Sequence, residues 1–286
     1  MLAATLRTRT RLIESRQNAR VKELRAALGR SGRTSSGLVA IEGEHLVAEA
    51  MRSHLRFSSI FLRDGYTPHI ELPEDADHLL LTPDVFASAV ATEQPQGIAA
   101  LVHPPAFSAE TIFHSPTPLI LILAGLQDPG NVGTLLRSAE AFGSSGALLL
   151  PGTASPWNPK ALRASAGSAF RVPAIAVTED EALDLLARNN IPAIAAVARD
   201  GMGIDEASLA GACALLIGNE GAGLSDKLIA AAARRVTIPM PGEIESLNAA
   251  IAGSLLLYEA SRQRVREASP QKPLEAAHPR RDPIRQ

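Results

Sequence analysis

From Leu119 onward, short apolar runs alternate with segments of helical pattern. The runs are "LILILAGL", "GALLL", "PAIAV", "IPAIAAVA", "CALLIG" and "VTIP"; helices fall near 131–142, 159–166, 180–189 and 224–234, and a long one follows from 246 to about 264. Strands that are apolar along their whole length have both faces covered, and helical crossovers between them imply a parallel sheet. This part of the chain is therefore predicted to be an α/β domain. Ligands of such sheets lie beyond the carboxyl ends of the strands, so chemistry is expected in the loops that follow the apolar runs.

The earlier part is patterned differently. A basic arm, residues 1–16, leads into a helix over "NARVKELRAALG" that Gly29 could cap. Mixed short strands and helices then form a smaller α/β domain over 17–103. "HPPAFSAETIFHSPTP" is dense in Pro and Ser and reads as a linker over 104–117. The sheet domain occupies 118–265, and 266–286 reads as a disordered tail.

Net charge is only −2, but residues 1–33 carry nine Lys/Arg against two acids, and residues 262–286 carry seven against three. The body between them is strongly acidic. Clustered cations gain by releasing counterions from a phosphate backbone, so the basic ends suggest a polyanion; a pair of solubilising tails would look the same. Aromatic residues make up 3%, so nucleic-acid recognition would rest on phosphate contacts and shape more than on stacking. The single Cys213 sits in an apolar run, which excludes a disulfide framework or Cys-rich zinc site and fits a reducing compartment. No apolar stretch reaches membrane-spanning length, and the Arg-rich start lacks the apolar segment of a secretory signal. A soluble cytoplasmic protein without a metal is expected.

Three loops of the sheet domain hold the candidate residues. In "DPGNVGTLLRSAEAFG", Asp128 and Pro129 make a turn, Gly130 and Gly133 allow close approach, and Arg137 lies six residues past Asn131, too far to share one helix face cleanly. Arg137 stands in an otherwise small and apolar helix, either snorkelling to solvent or serving a ligand at a helix start suited to anions. In "LLIGNEGAGLSD", Asn219 and Glu220 sit among Gly218, Gly221 and Gly223, either a plain strand-to-helix turn or a place where a ligand meets the main chain. In "IPMPGEIESLNAAIAGSLLLYEA", Ser246 and Asn248 open the final helix, where Ser is a favoured cap. A nucleotide-dependent dehydrogenase would need G-x-G-x-x-G after the first strand and an acid at the end of the second. The chain has "DPGNVG" and "PGT" there instead.

In their order, the three motifs resemble the SpoU/TrmH branch of the SPOUT RNA methyltransferases, and "NPKALRASAGSAFRVP" between them is similar to the same family. The N-terminal stretches "QNARVKELRAAL", "AIEGEHLVAEA" and "ATEQPQGIAALV" resemble the family's RNA substrate-binding domain. The similarity spans about residues 15 to 264. It implies a C-terminal parallel-sheet SPOUT domain with a trefoil knot, preceded by the smaller RNA-binding domain.

The resemblance further implies S-adenosyl-L-methionine as cofactor, held mainly by backbone groups around Ala198, Gly218, Asn219, Ile238, Met240 and Leu247, with Gly218 and Gly221 admitting it to the main chain. The implied reaction is methyl transfer to a ribose 2'-hydroxyl of RNA. Arg137 is implied as the central catalytic residue, gripping phosphate and stabilising the developing oxyanion, since a guanidinium is hard to deprotonate. Asn131 would place the nucleotide, Glu220 would orient its neighbours, and Ser246 and Asn248 would position the hydroxyl and Arg137. The family also implies a homodimer whose protomers complete each site jointly. The extra N-terminal domain favours ribosomal RNA; a tRNA methyltransferase and a non-catalytic RNA-binding chaperone of the same fold are the alternatives.

Overall fold

The protein is described by a computed structural model, which covers residues 11–29, 32–90, 92 and 95–268. Most of the basic arm and the tail after residue 268 lie outside these residues. The chain forms two sheets. The first contains β1 (Arg11–Ile13), β2 (Val39–Glu42), β3 (Phe57–Arg63), β4 (Asp77–Leu81) and β5 (Ile98–Val102), in the order β1-β4-β3-β5-β2. Its helices are α1 (Ala19–Leu28), α2 (Glu44–Arg52) and α3 (Pro83–Ala89).

Alternation along these strands sorts side chains onto two faces. Ala40, Phe61, Ala99 and Leu101 pack with α1 and α3, whereas Val39, Ile41, Ile60, Leu62 and Ala100 join a core that continues into the second half of the chain. The end of the expected arm is not unpatterned. Arg11–Ile13 pair in parallel with Leu79–Leu81, and Ile13 is buried. Gly29 ends α1 with φ −69°, so no left-handed cap forms; Asn18 caps the other end by accepting from the Arg20 N–H at 2.9 Å.

The Pro/Ser-rich stretch expected to be linker holds a short helix, α4 (Ala109–Phe113), because Ile112 is fully buried against the next domain. That domain has seven strands: β6 (Leu119–Ala124), β7 (Gly146–Leu149), β8 (Ala174–Ala176), β9 (Ala193–Ala196), β10 (Met202–Gly203), β11 (Cys213–Gly218) and β12 (Arg234–Thr237). All pairings are parallel, in the order β10-β12-β9-β11-β6-β7-β8. The late strand β12 thus lies between two earlier ones. The edge strand β10 has no apolar run to announce it, and β12 begins two residues before "VTIP" on the exposed Arg234 and Arg235.

Leu119, Leu121, Leu123, Leu215 and Ile217 face α5 (Pro129–Ala141) and α9 (Ala249–Ala268). Ile120, Ile122, Ala214 and Leu216 face the other side, with α7 (Glu179–Arg188) and α8 (Asp226–Ala231). The remaining helix, α6 (Pro159–Ser165), touches both α5 and β2, so it bridges the two sheets. Arg171 ties them together as well: its Nη1 donates to Glu49 Oε2 and Ser53 Oγ, each at 2.9 Å, while Nη2 and Nε engage Glu140 of α5. No described helix is long and apolar enough to cross a membrane.

Candidate active site

The three candidate loops emerge from the carboxyl ends of β6, β11 and β12, strands of one parallel sheet. β6 leads into α5, its neighbour β11 leads into the Asn219–Gly223 turn, and β9 and β12 follow on the other side of β11. Asp128 caps α5 by accepting from the Gly130 N–H at 2.8 Å, with Pro129 already inside the helix, where its missing donor costs nothing. Lys160 Nζ donates to Asp128 Oδ1 at 2.7 Å, and this bond, with the Gly130 N–H, holds the carboxyl below its ordinary range.

The turn after β11 is built by Asn219. Its Oδ1 accepts from the N–H of Gly221 at 2.8 Å and of Ala222 at 3.0 Å, while its Nδ2 donates to the Gly125 carbonyl at 2.8 Å. The backbones of Asn219 and Gly223 bond each other in both directions. A Cβ on Gly218 would stand 2.5 Å from the Gly223 carbonyl carbon. The turn's own backbone therefore demands glycine at 218, independently of any ligand. Gly221 does stand clear of crowding atoms.

A hydrogen-bonded chain joins the loops. Asn131 Nδ2 donates to Glu220 Oε1, which leaves Asn131 Oδ1 to accept from Asn248 Nδ2 at 3.2 Å. Asn248 Oδ1 in turn accepts from the N–H groups of Ala250 at 2.9 Å and Ile251 at 3.2 Å. An ionised carboxylate only accepts, so each amide downstream of Glu220 has its orientation dictated. Asn248, not Ser246, is therefore the cap of the last helix, which starts at Ala249 rather than 246; Ser246 is exposed and makes no hydrogen bond among the described residues.

Arg137 stands apart from that chain. Asn131, Leu135 and Ser138 lie on the α9 side of α5, where Ser138 Oγ is 2.7 Å from Ser254 Oγ. Gly130, Gly133, Arg137 and Glu140 recur at near-heptad spacing along the α6 side. There a Cβ on Gly133 would stand 2.2 Å from the Ala161 carbonyl oxygen, so the close approach this glycine allows is that of helix α6. Arg137 is exposed and has no hydrogen bond or ion pair among the described residues. Its charge is uncommitted.

Of the residues expected at a cofactor, Ala198 follows β9, Gly218 and Asn219 end β11, Ile238 and Met240 follow β12, and Leu247 precedes α9. Thr237, which the sequence reading passed over, ties two of these turns by donating from Oγ1 to the Ala198 carbonyl at 3.0 Å. A polar residue at the end of an otherwise apolar strand was its only signal. Ile238, Met240 and Leu247 are half-buried, yet their backbone N–H and C=O groups make no hydrogen bond among the described residues. Such groups are open to solvent or to a ligand. Unpaired donors and acceptors along the β12–α9 connection suit an adenosine held by main chain, so these residues fit an S-adenosylmethionine.

A separate apolar groove of about 310 Å³ lies between α5 and α9, lined by Phe142, Ile251, Leu255 and Tyr258 among others. Among the described residues no group of three or more His, Cys, Asp or Glu could hold a metal ion.

The SpoU rRNA Methylase family matches residues 118–258, and the MRM3-like substrate binding domain matches residues 18–100. The chain is 33% identical to the 23S rRNA (guanosine(2553)-2'-O)-methyltransferase RlmP of Bacillus subtilis, over 86% of this chain and 97% of that one. It is 33% identical to the 23S rRNA (uridine(2479)-2'-O)-methyltransferase of Streptomyces viridochromogenes, over 89% of this chain and 93% of that one. The crystal structure of the SpoU methyltransferase AviRb from the same organism, in complex with AdoMet, superposes with a TM-score of 0.77 at 29% identity, covering 87% of this chain and 99% of that one. The chain belongs to the SpoU rRNA methylase family.

Proposed function

We propose that the protein is an S-adenosylmethionine-dependent RNA 2'-O-ribose methyltransferase acting on ribosomal RNA in the cytoplasm. One observation carries the reading: the Glu220–Asn131–Asn248 chain joins the loops after β6 and β11 to the start of α9, and the β12–α9 connection beside it leaves the backbone of Ile238, Met240 and Leu247 unpaired among the described residues, in a member of a methylase family. The relatives named for 23S rRNA match nearly their full length, N-terminal domain included, which favours ribosomal RNA over tRNA. On this reading residues 17–103 bind RNA, 104–117 connect, and 118–265 form a knotted catalytic domain.

S-adenosylmethionine, when bound, supplies an electrophilic methyl group. The backbone around Ala198, Gly218, Asn219, Ile238, Met240 and Leu247 holds it. Transfer to a ribose 2'-oxygen would leave S-adenosylhomocysteine and release the hydroxyl proton to solvent, and Arg137 stabilises the charge that develops on the oxygen while gripping a neighbouring phosphate. Asn131 and Asn248, with amides fixed by Glu220, orient the nucleotide, and Ser246 contacts its hydroxyl. Arg137 and Ser246 have no side-chain partner among the described residues, and a second protomer completes the set. The exposed Ile251 (54%), Leu255 (40%) and Tyr258 (51%) of α9 supply the apolar face of that homodimer.

The test is transfer of labelled methyl from S-adenosylmethionine to in vitro transcribed 23S rRNA, with ribose methylation mapped by resistance to alkaline cleavage. Stoichiometric labelling of one ribose is expected. Absence of transfer to any rRNA, or a methyl group found on a base, would remove the assignment. For the dimer, Leu255→Asp is expected to shift sedimentation from two chains to one and to abolish transfer; a monomeric wild type would refute it.

A further inference from the structure

We infer that Arg163, on the exposed face of α6, anchors a backbone phosphate of the RNA between the catalytic Arg137 and the N-terminal domain. The inference rests on the RNA methyltransferase reading and adds a residue to it. Three observations place the contact. Helix α6 is the bridge between the two parts of the molecule: Gly133 of α5 packs on Ala161 and Ala164, while Leu162 joins the core shared with Val39 and Ile41 of β2. An RNA strand that reaches both Arg137 and the N-terminal domain passes over this helix.

The exposed face of α6 is cationic and carries no acid. Its sequence is PKALRAS; Pro159, Ala161, Leu162 and Ser165 are buried, leaving Lys160 and Arg163 one turn apart on the outside. The acids nearby are already committed. Asp128 is held by Lys160, Glu140 by Arg171, and Glu220 receives Asn131.

The Arg163 side chain, like that of Arg137, makes no hydrogen bond or ion pair among the described residues. Lys160 and Arg171 are paired to carboxylates, whereas the exposed Arg137 and Arg163 guanidiniums of α5 and α6 are uncommitted among the described residues. A guanidinium fork matches phosphate geometry. A solvated arginine favouring the C-terminal end of its helix is the plain alternative.

The experiment measures binding of full-length protein to in vitro transcribed 23S rRNA across a salt series, together with steady-state methyl transfer. Arg163→Ala is expected to weaken RNA binding by on the order of threefold to tenfold and to lower the log–log salt slope by about one phosphate contact. Its kcat at saturating RNA and its affinity for S-adenosylmethionine stay within about twofold of wild type. Arg163→Lys restores part of the affinity. Arg234→Ala serves as control, because that exposed arginine sits at the amino end of β12, away from the loops, and is expected to bind as wild type.

Unchanged affinity and slope in Arg163→Ala would overturn the inference. So would an equal loss in Arg234→Ala, which would signal a diffuse field. A fall in kcat at unchanged RNA affinity would do the same. Failure of the underlying reading shows separately, in a wild type that methylates no rRNA.

Discussion

The two ends of the second sheet are treated in opposite ways, and α9 touches both. At the amino ends, Arg264 donates from Nη1 to the Thr117 carbonyl at 2.8 Å and from Nη2 to the Gly211 carbonyl at 2.6 Å, just ahead of β6 and β11. Gln263 accepts from the Leu209 N–H at 2.7 Å and donates to the Ala207 carbonyl at 2.8 Å. On the other side, among the described residues, the backbone of Ile238, Met240 and Leu247 after β12 is unpaired and Arg137 of α5 has no counter-ion. One end spends its polar groups on the fold, and the other holds them for a ligand. A substitution at the first should therefore cost stability, and one at the second should cost rate.

The largest expected effect is at the open end. Arg137→Ala should lower kcat by about 10²- to 10³-fold, the loss typical of a donor to a developing oxyanion, with the thermal midpoint unmoved. Equal losses of stability and rate would erase the contrast between the ends. Next, Arg264→Ala should destabilise by ~1–3 kcal/mol in urea unfolding, because main-chain carbonyls lose their donors, while kcat of the folded protein stays within about twofold.

Asn248 belongs to both categories. Asn248→Ala removes the cap of α9 and should cost ~1 kcal/mol, along with a fall in kcat from the freed Asn131 amide. Asn248→Asp retains an acceptor for the Ala250 and Ile251 N–H groups but cannot donate to Asn131. It should keep the stability and lose the rate, and a rate equal to wild type would show that the relay has no role in turnover.

The smallest effect concerns pH. The Arg171 guanidinium, bonded to Glu140, holds that carboxyl below its ordinary range. A depressed carboxyl pKa stabilises the folded state above the unfolded value of about 4.3, and the contribution disappears as pH falls through the lower folded value. With both side chains about a third exposed, roughly 0.5 kcal/mol should be lost on acidification, and Glu140→Gln should remove that part of the pH dependence. Identical acid profiles for wild type and Glu140→Gln would show that the Glu140–Arg171 bond carries no weight.

Much of the second sheet was legible because its central strands are buried on both faces and so read as unbroken apolar runs. Strand β10 and the start of β12 were hidden, since edge positions tolerate polar residues and Arg234 and Arg235 face solvent. Helix α4 was masked by Pro and Ser around it; only Ile112 reaches a core, and nothing local distinguishes it from a linker apolar. Ser246 and Asn248 are both good caps by type. The choice depends on which side chain reaches the Ala250 and Ile251 N–H groups, a matter of how the preceding loop enters the helix. The Glu220–Asn131–Asn248 chain joins residues 89 and 117 positions apart, a juxtaposition only the folded strand order creates. Gly218 was marked as special, and the close approach visible in the fold is to its own turn.

The claim on which the rest depends is that the open strand ends hold the methyl donor. A crystal structure of the protein with S-adenosylmethionine tests it most directly. Adenine and ribose should lie between the turns at Ala198, Gly218–Asn219 and Ile238–Leu247, with main-chain bonds to Ile238, Met240 and Leu247. A donor seated in the apolar groove beside Tyr258, or strand-end turns that stay empty at saturating concentration, would contradict the account.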